Sequence, residues 1–303
     1  MLDVLIIGGG PAGLAAAIYA GRAQLNGVLV EKLSPGGQVL VTDFVENYPG
    51  FPEGLTGFEL VEKLSQHAQK FGIEIKNAQA GKIKKEKEGF SVSFLDTNEE
   101  IKTRTVIIAT GARHRKLGIP GEEEFTGKGV SYCATCDGPF FRDQEVAVVG
   151  GGDSAVQEAI FLTKFVKKVY LIHRRDELRA VKILQERAFS NPKIEFIWNS
   201  VVEEILGKDQ VESVKIKNKN TGEVNELKVQ GVFIFIGIVP NTSLVSSLVD
   251  LDERGFIKTD EWMRTSLKGI YAAGDCRSKP LLQIVTAVAE GATAAYAIEH
   301  DLQ

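Results

Sequence analysis

Two glycine clusters constrain this chain more than any other feature. Gly8-Gly9-Gly10-Pro11-Ala12-Gly13 follows the apolar run Leu2–Ile7 and opens an Ala-rich stretch over about 12–23. Gly150-Gly151-Gly152-Asp153-Ser154-Ala155 follows the apolar run 145–149 and opens a second helical stretch over about 154–165. A short apolar run comes after each, at 27–30 and at 168–172. Gly8 stands as far from Glu31, at the end of the first run, as Gly150 stands from His173, at the end of the second. Strand, glycine turn, helix and strand make a βαβ unit. Its recurrence at the same spacing is an internal duplication. Each unit closes on an apolar strand that ends in glycine, at Gly111 and at Gly237. A third stretch follows the second unit: an apolar strand at 269–273, Gly274-Asp275, and an Ala-rich helix over about 283–300. The expected fold is therefore α/β, with two nested Rossmann-like, three-layer ββα domains of the nucleotide-binding kind. Residues 1–113 and 241–303 form the outer domain, and 114–240 the inserted one. The hinges are expected near Arg113-His114 and Pro240-Asn241. A length of 303 residues suits two domains at roughly 150 residues each.

The loops have the pattern that cradles a pyrophosphate. Gly8 permits the tight turn, Gly10 lets the phosphates approach the backbone, and Gly13 lets helix and strand pack closely. Pro11 and Ala12 begin a helix whose N–H groups face the phosphates. The acidic Glu31 is placed to accept hydrogen bonds from a ribose hydroxyl. Asp275, at another strand end, suits a flavin ribityl hydroxyl. The second loop (Gly150, Gly152, Asp153, Ser154, Ala155) leads instead to His173-Arg174-Arg175-Asp176-Glu177-Leu178-Arg179. A carboxylate there would repel a 2′-phosphate, whereas arginine forks bind one bidentately. The pair reads as one site for FAD and one for NADPH.

The chain has only three cysteines, and two lie in Cys133-Ala134-Thr135-Cys136-Asp137. A zinc site lacks ligands, because Cys276 is distant and the four histidines show no paired spacing, so no metal is expected. A redox dithiol fits better: a flavin passes two electrons, and a cysteine pair takes two by opening its disulfide. Asp137 either moves protons at this pair or caps the following turn. Cys276 reads as a small buried residue. No histidine stands in an acid–base arrangement. Lys plus Arg is 36 against 40 for Asp plus Glu, which offers nucleic acid or anionic membrane no electrostatic footprint. The charged tract 82–88 reads as a solvated hairpin face. With no signal peptide and no membrane-length apolar run, a cytoplasmic protein is expected.

Taken in order, GGGPAG (8–13), GGQ (36–38), VENYPG (45–50), ATGA (109–112), CATCDG (133–138), GGGDSA (150–155), HRRDELRA (173–180) and GDC (274–276) resemble the bacterial-type, low-molecular-weight thioredoxin reductases over nearly the whole chain. The resemblance implies NADPH-dependent reduction of thioredoxin through FAD, a homodimer, and rotation of one domain against the other between half-reactions. It also assigns roles. Gly36, Gly37, Gln38, Asn47, Ala109, Thr110, Gly111, Asp275 and Gln283 match flavin-holding positions. Cys136 matches the flavin-facing thiol, Cys133 the thiol that attacks thioredoxin, and Asp137 the proton donor. Many relatives carry Arg-Gln where this chain has Leu282-Gln283, a departure that touches domain closure or flavin tuning and leaves the reaction class intact.

Three other readings compete. One is a same-fold reductase that serves a peroxiredoxin-type partner, although such flavoproteins carry an extra N-terminal thiol domain and this sequence starts at the first strand. Thioredoxin-reductase-like ferredoxin–NADP reductases lack the cysteine pair, and relatives fed by ferredoxin or a deazaflavin have usually lost the basic motif kept here as Arg174, Arg175 and Arg179. A flavin-bound redox sensor would use the disulfide without turnover.

Overall fold

The computed structural model describes all 303 residues except 43, 44, 46, 96 and 98, and except the side chains of Val41, Thr135 and Cys136. The chain divides into two compact units, Met1–Arg113 with Val239–Gln303, and His114–Ile238.

The first unit opens with β1 (Leu2–Ile7), α1 (Pro11–Arg22), β2 (Gly27–Glu31), α2 (Gly57–Lys70) and β3 (Glu74–Asn77). It continues through β4 (Ala80–Lys85), β5 (Phe90–Phe94), β6 (Glu100–Ile108) and the crossing strand β7 (Ala112–His114). In β1, Val4 and Ile6 face one core and Leu5 and Ile7 the other, all buried. Period-two alternation with apolar residues on both faces makes this a central strand. Burying each such side chain contributes roughly 1.5–3 kcal/mol. Short alternating segments near 73–104 predict a small antiparallel meander, and the structure has one, joined to the main sheet. β3 pairs parallel with β2, while β4, β5 and β6 pair antiparallel. β6 then runs on, parallel to β1, with Ile108 opposite Ile7. The reason is its length: β6 has room for two pairing regimes in one strand.

The second unit contains β8 (Val130–Ser131), α3 (Ala134–Asp137), β9 (Glu145–Gly150), α4 (Asp153–Leu162) and β10 (Lys168–Ile172). After these come α5 (Lys182–Phe189), β11 (Ile194–Ile197), β12 (Ser200–Gly207), β13 (Val211–Asn218), β14 (Val224–Lys228) and β15 (Gly231–Phe235). A five-stranded parallel sheet has the order β11-β10-β9-β15-β8. Val146 and Val148 of β9 face the core that holds Ala155, Ala159 and Leu162 of α4. Ala147 and Val149 face the antiparallel β12-β13-β14 sheet through Val202, Ile205, Val211 and Val214. That is helix, sheet and sheet, a three-layer ββα stack. The helix α5 has no counterpart in the sequence reading, because only Ala188 of its residues is buried and its apolar stripe is weak.

The return crossing β16 (Ile238–Pro240) pairs with β7 as a two-stranded ribbon. The boundary therefore falls at Ile238/Val239, two residues before the expected one. β17 (Ile270–Ala272) adds to β6, and α6 (Ile284–Leu302) closes the first unit. A β-carbon on Gly291 of α6 would stand 2.0 Å from the Ala12 carbonyl oxygen, so glycine there permits the close approach of α6 to α1. Among the described residues no helix is long and apolar enough to cross a membrane.

Candidate active site

In the first unit, aligned strand ends bring Gly8, Glu31 and Ala109 to one edge of the sheet. Gly8 has φ +110°, and a β-carbon on it would meet the Ala109 carbonyl oxygen at 2.3 Å. A β-carbon on Gly13 would meet the Gly8 carbonyl oxygen at 1.8 Å, while one on Gly10 would meet nothing within 4 Å. The outer glycines thus close the turn, and the middle one leaves an open cradle at the start of α1. That helix has Pro11 in its first turn and no side-chain cap, so its first N–H groups have no competing side-chain acceptor. This arrangement fits a pyrophosphate.

Glu31 does more here than its position suggested. Its Oε2 accepts from Gly9 N at 2.7 Å, and its Oε1 from Leu33 N at 3.2 Å. A carboxylate has about four acceptor sites, so it can hold the loop and still accept from a ribose. Gly36 N donates to the Gly9 carbonyl at 2.7 Å, and Gly37 lies against Gly10. Asn47 Nδ2 donates to Gln283 Oε1 at 2.9 Å, joining two residues far apart in sequence. The side chains of Gln38 and Thr110 are engaged by the protein itself. Gln38 Nε2 donates to the Ala112 carbonyl, and the Thr110 hydroxyl donates to the Asn241 carbonyl at 2.6 Å. Gly111 accepts from Asn241 N at 2.9 Å.

Beneath Asp275 lies a charge cluster that sequence reasoning missed. The Lys279 side chain is only 3% exposed and pairs with Asp275 Oδ1 and Glu290 Oε2, each at 3.2 Å. Glu290 also accepts from Arg277 Nη1 at 2.9 Å and from Gly274 N at 2.8 Å. Two cations against two carboxylates balance one another. The only sequence signal is the i,i+4 spacing of Asp275 and Lys279. Cys276 beside them is buried, and its thiol donates to the Ile108 and Ala273 carbonyls at 3.3 Å. Burial pushes this thiol up to about 11, which keeps it unreactive.

The second unit repeats the cradle. A β-carbon on Gly150 (φ +153°) would meet the Phe235 carbonyl oxygen at 2.3 Å, while one on Gly152 would meet nothing within 4 Å. Ala155 takes the place of the third glycine and is buried in the helix core. The space that a carboxylate fills in the first unit is filled here by an imidazole. A β-carbon on Gly151 would fall 2.3 Å from the ring of His173, which is itself 4% exposed. Burial, and then Arg179, Arg175 and Arg174, push the imidazole below its ordinary value, so it sits neutral. His173 is thus a packed wedge, and the positive charge comes from the three arginines, all exposed. None of the three is in an ion pair among the described residues. Backbone bonds tie their loop to the cradle: Arg179 N donates to the Gly151 carbonyl and Val181 N to Asp153 Oδ1, both at 2.7 Å. Ser154 is exposed in the first turn of α4.

The Cys-x-x-Cys turn lies in this unit. Cys133 is disulfide-bonded and Cys276 is free. The Cys136 side chain lies outside the described residues. Asp137 donates its N–H to the Cys133 carbonyl at 3.2 Å, and its side chain makes no cap hydrogen bond to the turn that follows. A second missed group is Glu158 on α4, whose carboxyl burial pushes up to about 7.

A family model for pyridine nucleotide-disulphide oxidoreductases matches residues 2–291. The chain is 49% identical over 300 residues to a thioredoxin reductase of Bacillus subtilis, covering 98% of this chain and 94% of that protein. The structure of Lactococcus lactis thioredoxin reductase in its FR conformation superposes with a TM-score of 0.91 at 48% identity, covering 99% of this chain and all of that one. The chain belongs to this family, among its thioredoxin reductases. The structure of T. acidophilum thioredoxin reductase is also similar, at 38% identity and a TM-score of 0.89, covering 99% of this chain and 98% of that one. Membership accounts for the two cradles, since a pyridine nucleotide-disulphide oxidoreductase uses both a flavin and a nicotinamide cofactor.

Proposed function

We propose that this thioredoxin reductase takes electrons from NADPH through FAD to the Cys133/Cys136 pair, and from there to the disulfide of thioredoxin. The observation that carries the reading is the disulfide at Cys133, next to Asp137 and in the unit with the arginine-flanked cradle, while Cys276 is free and buried. Gly8, Gly10, Pro11, Ala12, Gly13 and Glu31 would hold the FAD pyrophosphate and ribose. Asp275, Asn47, Gln283, the Gly36-Gly37-Gln38 turn and Ala109-Thr110-Gly111 would line the rest. Gly150, Gly152, Asp153, Ser154 and Ala155 would hold the NADPH pyrophosphate. The flavin, when bound, relays two electrons from the nicotinamide to a disulfide.

The remaining chemistry belongs to the chain. Reduction breaks the Cys133–Cys136 bond and leaves two thiols. The Cys133 thiolate attacks the thioredoxin disulfide, forming one mixed S–S bond and releasing one partner thiolate. Cys136 then attacks Cys133, closing the pair again and releasing the second. Asp137 moves the protons these thiolates need. Arg174, Arg175 and Arg179 bind a 2′-phosphate and so select NADPH over NADH. The connections near Arg113-His114 and Pro240-Asn241 serve as the pivots of the domain rotation. The protein works as a cytoplasmic homodimer.

The test mixes the flavin-loaded protein with NADPH, a bacterial thioredoxin and a chromogenic aryl disulfide. Turnover that requires both NADPH and thioredoxin is expected. Flavin bleaching without thioredoxin-dependent turnover would point to another disulfide partner or to a sensor.

A further inference from the structure

We infer that Ser131, Tyr132 and Glu122 form a brace that positions Cys133 for thiol–disulfide exchange. The inference rests on the reading of Cys133 as a working half of the redox pair. Cys133 N donates to Ser131 Oγ at 3.0 Å, and the Ser131 hydroxyl donates to the Cys133 carbonyl at 3.1 Å. Ser131 is itself buried, so this closed loop is shielded from water. Next to it, the Tyr132 hydroxyl donates to Glu122 Oε1 at 2.7 Å. Burial, and then the Glu122 carboxylate, push the Tyr132 phenol far above its ordinary value, so it is a permanent donor.

Glu122 is 1% exposed and has every reason to be costly there. Its burial is compensated by Leu117 N at 2.8 Å on Oε1, Gly118 N at 2.6 Å on Oε2, and the Tyr132 hydroxyl. The Thr126 hydroxyl fixes its backbone, donating to the Glu122 carbonyl at 2.7 Å. The ring of His114, the last residue of the crossing strand β7, stacks on Tyr132 with centroids 6.0 Å apart and an interplanar angle of 24°. Arg115 N anchors the same segment to the Gly237 carbonyl at 2.9 Å. A continuous line of contacts within the second unit thus runs from the crossing to the residue before Cys133. Exchange needs the sulfurs held in register, and a fixed backbone raises their effective concentration. Ser131, Tyr132 and Glu122 touch no reacting atom, so they are positioning residues.

The experiment titrates the holoenzyme in dithiothreitol redox buffers and reads oxidised against reduced Cys133 by alkylation and mass. Tyr132→Phe removes the charge-assisted hydrogen bond and keeps the ring. The oxidised-to-reduced ratio is expected to fall about tenfold, or about 30 mV for this two-electron couple. Ser131→Ala shifts it in the same direction by less. Tyr132→Phe combined with Glu122→Gln shifts it no further than the larger single change, as expected of one unit. With thioredoxin, kcat falls while KM for NADPH holds. A wild-type Cys133 that never titrates would remove both the functional reading and the brace. Wild-type titration with an unchanged ratio in Tyr132→Phe and Ser131→Ala overturns the brace alone. So does a lowered melting temperature with an unchanged ratio.

Discussion

Gly10 and Gly152 occupy equivalent places, each at the N-cap of a helix and each with open space where a side chain would stand. Their surroundings differ at the end of the next strand. Glu31 reaches back to Gly9 with a carboxylate, whereas His173 packs a neutral ring against Gly151 and leaves the charge to Arg174, Arg175 and Arg179. The cradle is thus common to both units, and the strand end is where they differ. Both loops leave room for an anion against backbone, and under the proposed function the residue behind the loop would decide which nucleotide is favoured. The units differ again in their cysteines. The first buries Cys276 beyond reaction, while the second carries Cys133 in a disulfide.

The largest expected effect separates the units by their chemistry. In Cys136→Ser, NADPH still bleaches the flavin while thioredoxin reduction is lost to below detection. Surviving thioredoxin turnover, followed in the aryl-disulfide assay, would sink the assignment of the exchange step to this pair. Next comes the strand end. Arg174→Ala with Arg175→Ala should raise KM for NADPH by about tenfold or more per contact, since hydrogen bonds to charged groups are worth about 1.5–3 kcal/mol. KM for NADH should barely move, and equal changes in both would dissolve the contrast with Glu31.

A third test asks whether the glycines divide their labour as the geometry says. Gly13→Ala forces a β-carbon into the Gly8 carbonyl and should destabilise the first unit by about 1–3 kcal/mol, the usual cost of overpacking. Gly152→Ala meets open space, so its melting temperature should hold while NADPH binding weakens. Equal melting losses in the two variants would show that the open cradles are not open.

The smallest effect is in acid. Burial pushes His114 and His173 below their ordinary value of 6.5. The unfolded chain therefore binds more protons at these two sites, and their contribution is whole above pH 6.5 and lost as pH falls below it. In the first unit, Arg264 holds the Asp301 carboxyl down to about 2 from an ordinary 3.8. That contribution persists above pH 3.8 and is lost only as pH falls toward 2. In the same unit Glu158, pushed up to about 7, works the other way and gains stability as pH falls, so in Glu158→Gln, where that compensation is gone, hydrogen exchange at about pH 5 should open 114–238 more than the segments around Arg264 and Asp301. Uniform opening would refute the difference.

Much of the fold was legible because its signals are local. Alternation in Leu2–Ile7, a glycine turn and an alanine-rich helix each express a short-range preference. The expected strand 168–172 coincides with β10. The antiparallel meander in 73–104 was legible from its short alternating segments, but its attachment to the main sheet was not, because β3 and β6 pair with β2 and β1 far away in sequence and β6 changes partners along its length. In the site, Glu31 and the arginines were legible as charges at strand ends. The engagement of Gln38 and Thr110 by the crossing segments was not, since neither partner is a sequence neighbour.

By itself, the sequence determined the duplicated βαβ plan, the insertion of one unit into the other, the contrast between Glu31 and Arg174-Arg175, and the pairing of two of its three cysteines in one motif. Each depends on residue type and short spacing. Only the tertiary structure decided that Lys279 is buried between Asp275 and Glu290, that His173 is a neutral wedge, and that Glu122 grips Tyr132 beside Cys133. The physical reason is that a charged side chain looks the same in sequence whether it meets water or a partner. Its energy depends on which distant groups the fold brings to it.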